Sequence, residues 1–410
     1  MSLETEVNEL LKTATEAKRV PGIAAIALDK QGKVLYKGSY GSATDINDTS
    51  SPRFTPATPT TIWSLTKLVT SIAALQLLES GKITSLDDPV EKYAPAYGEI
   101  QLLTGWTSDG DDGEPILQTP KTKATIRHIL THTAGSGYDW LDGDLKRYFA
   151  WRERTQGVKF TGRKTADLRP PFVFEPGAKW AYGSNIEWVA WVVEAITGQN
   201  IDAYFQEHIF KPLGLTSTGG PWQFKNEAAL HFRTPDGTLV VLPEQEQEKS
   251  PQDAPLQSWG GHYLISTAEE YAQILLAVLN DGTHPVSQTR LLEPETVKTY
   301  LFTDQIPQVI GPAGSGDVGV LQTQTAFVSN DGELLPGVRK GWTTGLMYNI
   351  DHVPGGRKAG SGAWAGISNH YYWVDPSSGK LGLVLTSVLP FMDKEVLDVV
   401  DQFEKCVYKY

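Results

Sequence analysis

The chain has 410 residues, 40% of them hydrophobic, with 36 Lys and Arg against 48 Asp and Glu and a formal net charge of −12. That apolar share is what a packed globular chain of about two to three domains, or one large one, carries, and it excludes disordered, collagen-like and low-complexity classes. The acidic balance lacks the positive field that a nucleic-acid backbone or an anionic membrane surface demands.

The spacing of Val7, Leu10, Leu11, Ala14 and Ala17 predicts an amphipathic helix over 4–18, stopped by Pro21-Gly22. Residues 22–28 and 33–40 read as two strands of a hairpin around Asp29-Lys30-Gln31-Gly32. A polar stretch over 42–61 leads into a strong helix over 64–79, closed by Gly81. From 82 to 267 helical segments alternate with long loops. The clearest helices are 126–130, 187–197 and 201–210, and the acidic, glycine-containing run 105–118 reads as an exposed loop. A helix over 268–279 follows. Strand-like runs then return at 358–364, 369–374 and 381–387, with a turn at 377–379, and the chain ends in a helix over 394–408. Strands at both ends around a helical middle predict an α/β fold of the α+β type. One antiparallel sheet is built from both chain ends, residues 1–61 and 268–410, with flanking helices, and a mostly helical domain over 62–267 is inserted, leaving a cleft between the two.

The single cysteine, Cys406, allows no internal disulfide and no zinc site of several cysteines, which fits a reducing compartment. The acidic start Met1-Ser2-Leu3-Glu4-Thr5-Glu6 lacks the order of a signal peptide, and no run approaches the roughly 18 apolar residues of a membrane span. The expectation is a cytoplasmic protein that engages neither nucleic acid nor membrane. One count stands apart: 12 tryptophans, 16 tyrosines and 13 phenylalanines. Aromatics in that number line a core, a partner surface or a pocket for a bulky apolar ligand.

Three motifs carry chemistry. In Ser64-Leu65-Thr66-Lys67, residues i and i+3 share a helix face at a helix start, where free N–H groups and the positive dipole end favour developing negative charge. A lysine in an apolar setting can take a proton from serine. The bland alternative is an N-cap serine beside a solvated lysine. A second such tetrad, Ser377-Ser378-Gly379-Lys380, lies in a predicted hairpin turn and is set aside as chance. Tyr182 follows Pro176-Gly177 and precedes a helix, so its phenol is presented to relay a proton or simply packed at the helix start. Gly360-Ser361-Gly362-Ala363-Trp364-Ala365-Gly366-Ile367 has the small residues that let a ligand approach a strand, or that mark a bulge.

In this order the three motifs resemble the serine β-lactamase and penicillin-binding superfamily, and most of all its class C-like branch of esterases and fungal polyketide transesterases. Leu86-Asp87-Asp88-Pro89, Leu130-Thr131-His132-Thr133-Ala134-Gly135, Pro212-Leu213-Gly214-Leu215 and Trp259-Gly260-Gly261 agree in order. Two departures matter. Trp364-Ala365-Gly366 replaces the Lys-Thr-Gly of lactamases and removes a cation for a β-lactam carboxylate, and Ser184 stands where lactamases have Asn. The resemblance therefore implies a serine hydrolase on esters or thioesters, working through an acyl-enzyme. Ser64 is the nucleophile, Lys67 the base and Tyr182 the proton relay, and the backbone N–H groups of Ser64 and Ile367 form the oxyanion hole. No cofactor and no metal is implied. Substrate-pocket candidates are Tyr138, Trp140, Tyr148, Trp259, Trp364 and Gly366. The substrate is a small-molecule ester or thioester, with an acyl carrier or CoA among the donors admitted. The alternative is an acyltransferase that hands the acyl group to a bulky alcohol or amine in secondary metabolism. Behind these stand a β-lactamase or D-amino peptidase and a catalytically silent binding protein.

Other patterns are decoys. Gly314-Ser315-Gly316-Asp317-Val318-Gly319 lacks the strand and helix of a dinucleotide site. His128 and His132 have zinc-helix spacing without the intervening Glu, and read as structural. Asp109 to Glu114 misplaces the glycine of a calcium loop.

Overall fold

The computed structural model describes residues 2–110, 112–158, 169–243, 260–309 and 318–410. The elements that place the site are α1 (Leu3–Glu16), β1 (Gly22–Asp29), β2 (Val34–Gly41), α2 (Thr66–Glu79), β3 (Leu102–Trp106), β4 (Pro115–Gln118), α3 (Ile126–Leu130), α4 (Gly143–Gln156), α5 (Asn185–Thr197), α6 (Ala268–Leu279), β5 (Lys340–Trp342), β6 (Met347–Asn349), β7 (Gly362–Gly366), β8 (His370–Asp375), β9 (Lys380–Leu385) and α7 (Lys394–Lys409). Seven strands form one sheet in the order β5-β6-β7-β8-β9-β1-β2. Every neighbouring pair is antiparallel, so the sheet is indeed assembled from both ends of the chain.

The sequence explains why this sheet lies inside. β1 reads GIAAIALD, and its first seven residues are buried, the pattern of a strand covered on both faces. On β8, successive side chains point to opposite faces. Trp373 meets Phe403 of α7 with ring centroids 5.7 Å apart, while Tyr372 meets Tyr271 of α6, also at 5.7 Å. α6 and α7 thus cover opposite faces.

α2 is apolar all round, and Thr66 to Leu75 are all buried, as befits an interior helix. Its polar side chains find backbone partners: Thr70 Oγ1 donates to Gly260 O at 2.5 Å and Ser71 Oγ to Thr344 O at 2.8 Å. Just before it, residues 60–61 pair with residues 265–266, which ties the approach to Ser64 to the start of α6. Among the described residues, no helix is long and apolar enough to cross a membrane.

Several expectations are corrected. The run 105–118 is not an open loop: β3 and β4 pair as a hairpin, Leu103 opposite Leu117, with only its acidic tip irregular. The polar helix α4 carries little apolar periodicity, but Asp142 caps its start and Gly157, at φ +65°, its end. The short strands β5 and β6 are three residues each, too brief to show a period. The strand expected from 358 begins at Gly362, because Gly360 turns at φ +88°. The next begins at His370, because Asn369 is left-handed at φ +63°.

Candidate active site

Trp63–Leu65 form a single tight turn ahead of α2. Trp63 has φ +47°, a left-handed conformation that a bulky residue adopts only under constraint from its surroundings. Ile62 N–H donates to Leu264 O at 2.8 Å, and Tyr271 OH donates to Leu65 O at 2.8 Å. The chain therefore enters α2 sharply, with Ser64 held at the bend.

Three side chains converge there. Lys67 Nζ donates to Ser64 Oγ at 2.9 Å, to Gly261 O at 2.9 Å and to Tyr138 OH at 3.2 Å. These are three acceptors for the three ammonium hydrogens of a side chain only 2% exposed. Tyr182 OH donates to Ser64 Oγ at 2.8 Å, and Trp364 Nε1–H donates to Tyr182 OH at 3.2 Å. The bland alternative of a solvated lysine does not apply.

Tyr182 is held by the Leu-Thr-His-Thr-Ala-Gly loop. His132, left-handed at φ +57°, accepts at Nδ1 from Gly183 N–H at 3.4 Å and from Asn185 Nδ2 at 3.3 Å. Asn185 Nδ2 also donates to Ser136 O at 3.1 Å. Burial, and then the charge of Lys67, push the His132 pKa well below its usual value, so the ring is neutral with its proton on Nε2. It packs 4.8 Å from the Tyr182 ring and 5.1 Å from that of Trp342. A Cβ on Gly183 would lie 2.1 Å from Ser136 O, so only glycine lets this turn close. His128 accepts the Thr125 N–H at Nδ1 and caps α3. Among the described residues, no group of three or more His, Cys, Asp or Glu side chains is placed to hold a metal ion.

The aromatic candidates separate. Tyr138 stacks on Trp140 at 5.6 Å and meets Tyr182 edge-on at 5.5 Å. Burial, then Tyr182 and Glu187, hold its phenol well above the usual range, so it stays neutral. Trp364 packs 4.9 Å from Tyr182. A Cβ on Gly366 would lie 2.8 Å from Ile62 O and 3.2 Å from Leu65 Cδ1, so the end of β7, with Ile367 next in line, abuts the turn that carries Ser64. Tyr148 has its ring neighbours elsewhere, at Phe149 and Trp151. Trp151 Nε1 in turn donates to Glu114, beside the β3–β4 hairpin. Trp259, and residues 314–317 of the glycine run, lie outside the described residues.

Two residues of the site escaped sequence reasoning. Trp342 packs 4.5 Å from Trp364 and 5.5 Å from Trp180. It sits in a strand too short to announce itself. Glu187 is 1% exposed and accepts from Gly261 N–H at 2.8 Å and from His262 Nδ1 at 3.0 Å. A lone acid inside the apolar run Ile186-Glu187-Trp188-Val189-Ala190 was the available signal.

The chain resembles known proteins along nearly its whole length. A family model described as Beta-lactamase matches residues 7–402. The chain is 27% identical to monacolin J acid methylbutanoyltransferase of Aspergillus terreus over 408 residues, 97% of this chain and 94% of the relative. It is 27% identical to a lovastatin esterase of Penicillium rubens over 416 residues, 97% and 96% respectively. The unliganded simvastatin synthase LovD from Aspergillus terreus superposes with a TM-score of 0.80 at 25% identity, covering 100% of this chain and 98% of that one.

Proposed function

The chain belongs to the Beta-lactamase family and is an enzyme of its ester-cleaving and acyl-transferring branch, and from that premise we propose that it acts on esters or thioesters through an acyl-enzyme on Ser64. The observation that carries the proposal is the double contact at Ser64 Oγ, 2.9 Å from Lys67 Nζ and 2.8 Å from Tyr182 OH. A nucleophile within hydrogen-bond reach of a base, with a third group orienting both, is the arrangement covalent catalysis needs.

In this reading the amine form of Lys67, one hydrogen fewer than the ammonium of the three contacts above, takes the Ser64 proton as Oγ attacks the carbonyl carbon. The oxyanion is held by the backbone N–H groups of Ser64 and Ile367. The tetrahedral adduct then expels an alcohol or a thiol, which receives its proton through Tyr182. The acceptor repeats the sequence in reverse: it loses its proton to the Lys67–Tyr182 pair, attacks the acyl carbon and releases Ser64. With water the net reaction is hydrolysis. A second reading, transfer to a bulky alcohol, is favoured by the aromatic wall of Tyr138, Trp140 and Trp364 beside Ser64. The relatives named above, one a methylbutanoyltransferase and one an esterase, support both outcomes of the same intermediate. Carrier-bound or CoA thioesters are among the donors, and the reaction takes place in the cytoplasm.

The test is acceptor competition. The enzyme is loaded from a short-chain acyl thioester, and free acid is then measured with and without added polycyclic or other bulky alcohols. Ester formed at the expense of acid establishes transfer. Acid release unaltered by any alcohol leaves hydrolysis as the activity. A Ser64→Ala variant that still releases acid at the wild-type rate overturns both.

A further inference from the structure

A buried carboxylate costs several kcal/mol in desolvation unless charge and hydrogen bonds compensate it. Glu187 is such a carboxylate, on the face of α5 turned towards the segment that follows residue 259. Both its oxygens are used, Oε2 by Gly261 N–H and Oε1 by His262 Nδ1. Gly261 then offers its carbonyl to Lys67 Nζ at 2.9 Å. One residue thus touches the carboxylate with its N–H and the lysine with its C=O.

Gly261 has no room for anything more. An ideal Cβ there would lie 2.1 Å from Glu187 Oε1 and 3.2 Å from Lys67 Nζ. The same two distances place carboxylate and amine on either side of this one residue. The flanking residues are pinned as well, Gly260 O by Thr70 Oγ1 at 2.5 Å and Leu264 N–H by Thr66 Oγ1 at 3.2 Å. Thr66, Lys67 and Thr70 all lie on α2, so the segment is laid along the helix that follows the nucleophile.

We propose that Glu187 is a positioning residue for Lys67: through Gly261 it aims the amine at Ser64 Oγ. This rests on the reading of Ser64 as nucleophile and Lys67 as base. The titratable groups that face the pair are Tyr138 and Tyr182 against Lys67, His132 behind Tyr182, and His262 on the clamped segment.

The test compares Glu187→Met and Glu187→Gln with the wild type and with Ser64→Ala. It follows the acylation burst with a p-nitrophenyl ester, with a melting curve for each protein. Loss of the clamp in Glu187→Met is expected to slow acylation about 100-fold at temperatures where the variant is fully folded, the scale of a small misplacement in an active site, and to lower the melting temperature because Gly261 N–H loses its acceptor. Gln accepts from Gly261 and donates to His262 Nδ1, so it recovers most of that loss. Wild-type acylation by Glu187→Met overturns the proposal, as does a Gln variant as slow as Met. If the Met variant does not fold, the Gln variant alone decides: acylation near the wild-type rate is expected, and a loss approaching 100-fold overturns the proposal. Acylation that persists in Ser64→Ala overturns the nucleophile reading and this proposal with it, an outcome distinct from failure at Glu187 while Ser64 remains essential.

Discussion

Ser64 Oγ receives hydrogen bonds from two sides, and the two donors are not equivalent. Lys67 is buried and tied to backbone. Tyr182 stands among rings, 4.8 Å from His132, 4.9 Å from Trp364 and 6.4 Å from Trp342. A Tyr182→Phe change keeps that packing and removes only the hydroxyl. We expect kcat/KM for an alkyl ester to fall about 10²- to 10⁴-fold, the range of general acid–base contributions, and to fall less for a p-nitrophenyl ester, whose leaving group needs no proton. Steady-state kinetics on the two esters checks this. Trp364→Phe removes the indole N–H that donates to Tyr182 OH. The expected loss is about 1 kcal/mol, roughly fivefold in rate. At this scale the sequence was readable where a role follows from local geometry: Ser64 and Lys67 face one way because they are one turn apart. Glu187 and Trp342 were not readable, since each acquires its role from a partner brought in from elsewhere, Gly261 for one and Trp364 for the other.

Among elements, β8 and β9 show how the sheet is keyed. Trp373 lies opposite Gly382 in register, and a Cβ on Gly382 would come within 2.1 Å of the Trp373 ring. The indole occupies the space that a side chain would need. Gly382→Val should therefore destabilise by about 1–3 kcal/mol, the usual cost of overpacking, with the loss read from denaturant melts. Neither residue signals this pairing alone, because register across two strands decides it. The long apolar helix α2 and the buried strand β1 were legible from composition. The β3–β4 hairpin was hidden by its glycines and acids, and α4 by its polarity. In both cases caps and pairing partners, rather than apolar periodicity, hold the element.

Across the whole molecule, buried histidines link stability to pH. His370 Nε2 donates to Thr61 O at 2.9 Å, and its Nδ1 accepts from Thr386 N–H at 3.3 Å, joining the approach to Ser64 to the sheet. Burial pushes its pKa down from 6.5 to about 4, and that of His128 likewise to about 4. Between these values the unfolded chain binds more protons than the folded one, so stability is full above about pH 6.5 and is lost as pH falls towards 4. For His370 the loss is of the order of 3 kcal/mol. Melting temperatures should thus fall through this window, and His370→Gln should flatten the dependence while lowering stability at neutral pH. The aromatic excess that composition left open between core, surface and pocket also resolves at this scale. Trp188 and Trp373 are among the largest fully buried side chains, whereas Tyr138, Trp140, Trp342 and Trp364 gather around Tyr182 and Lys67. If acyl groups pass through Ser64, the adduct can be located on it. The protein is mixed briefly with an acyl thioester, quenched, digested and mapped by mass. The predicted result is one acyl adduct, on the peptide that contains Ser64, absent from Ser64→Ala. An adduct on any other residue, with Ser64→Ala still turning over, would contradict it.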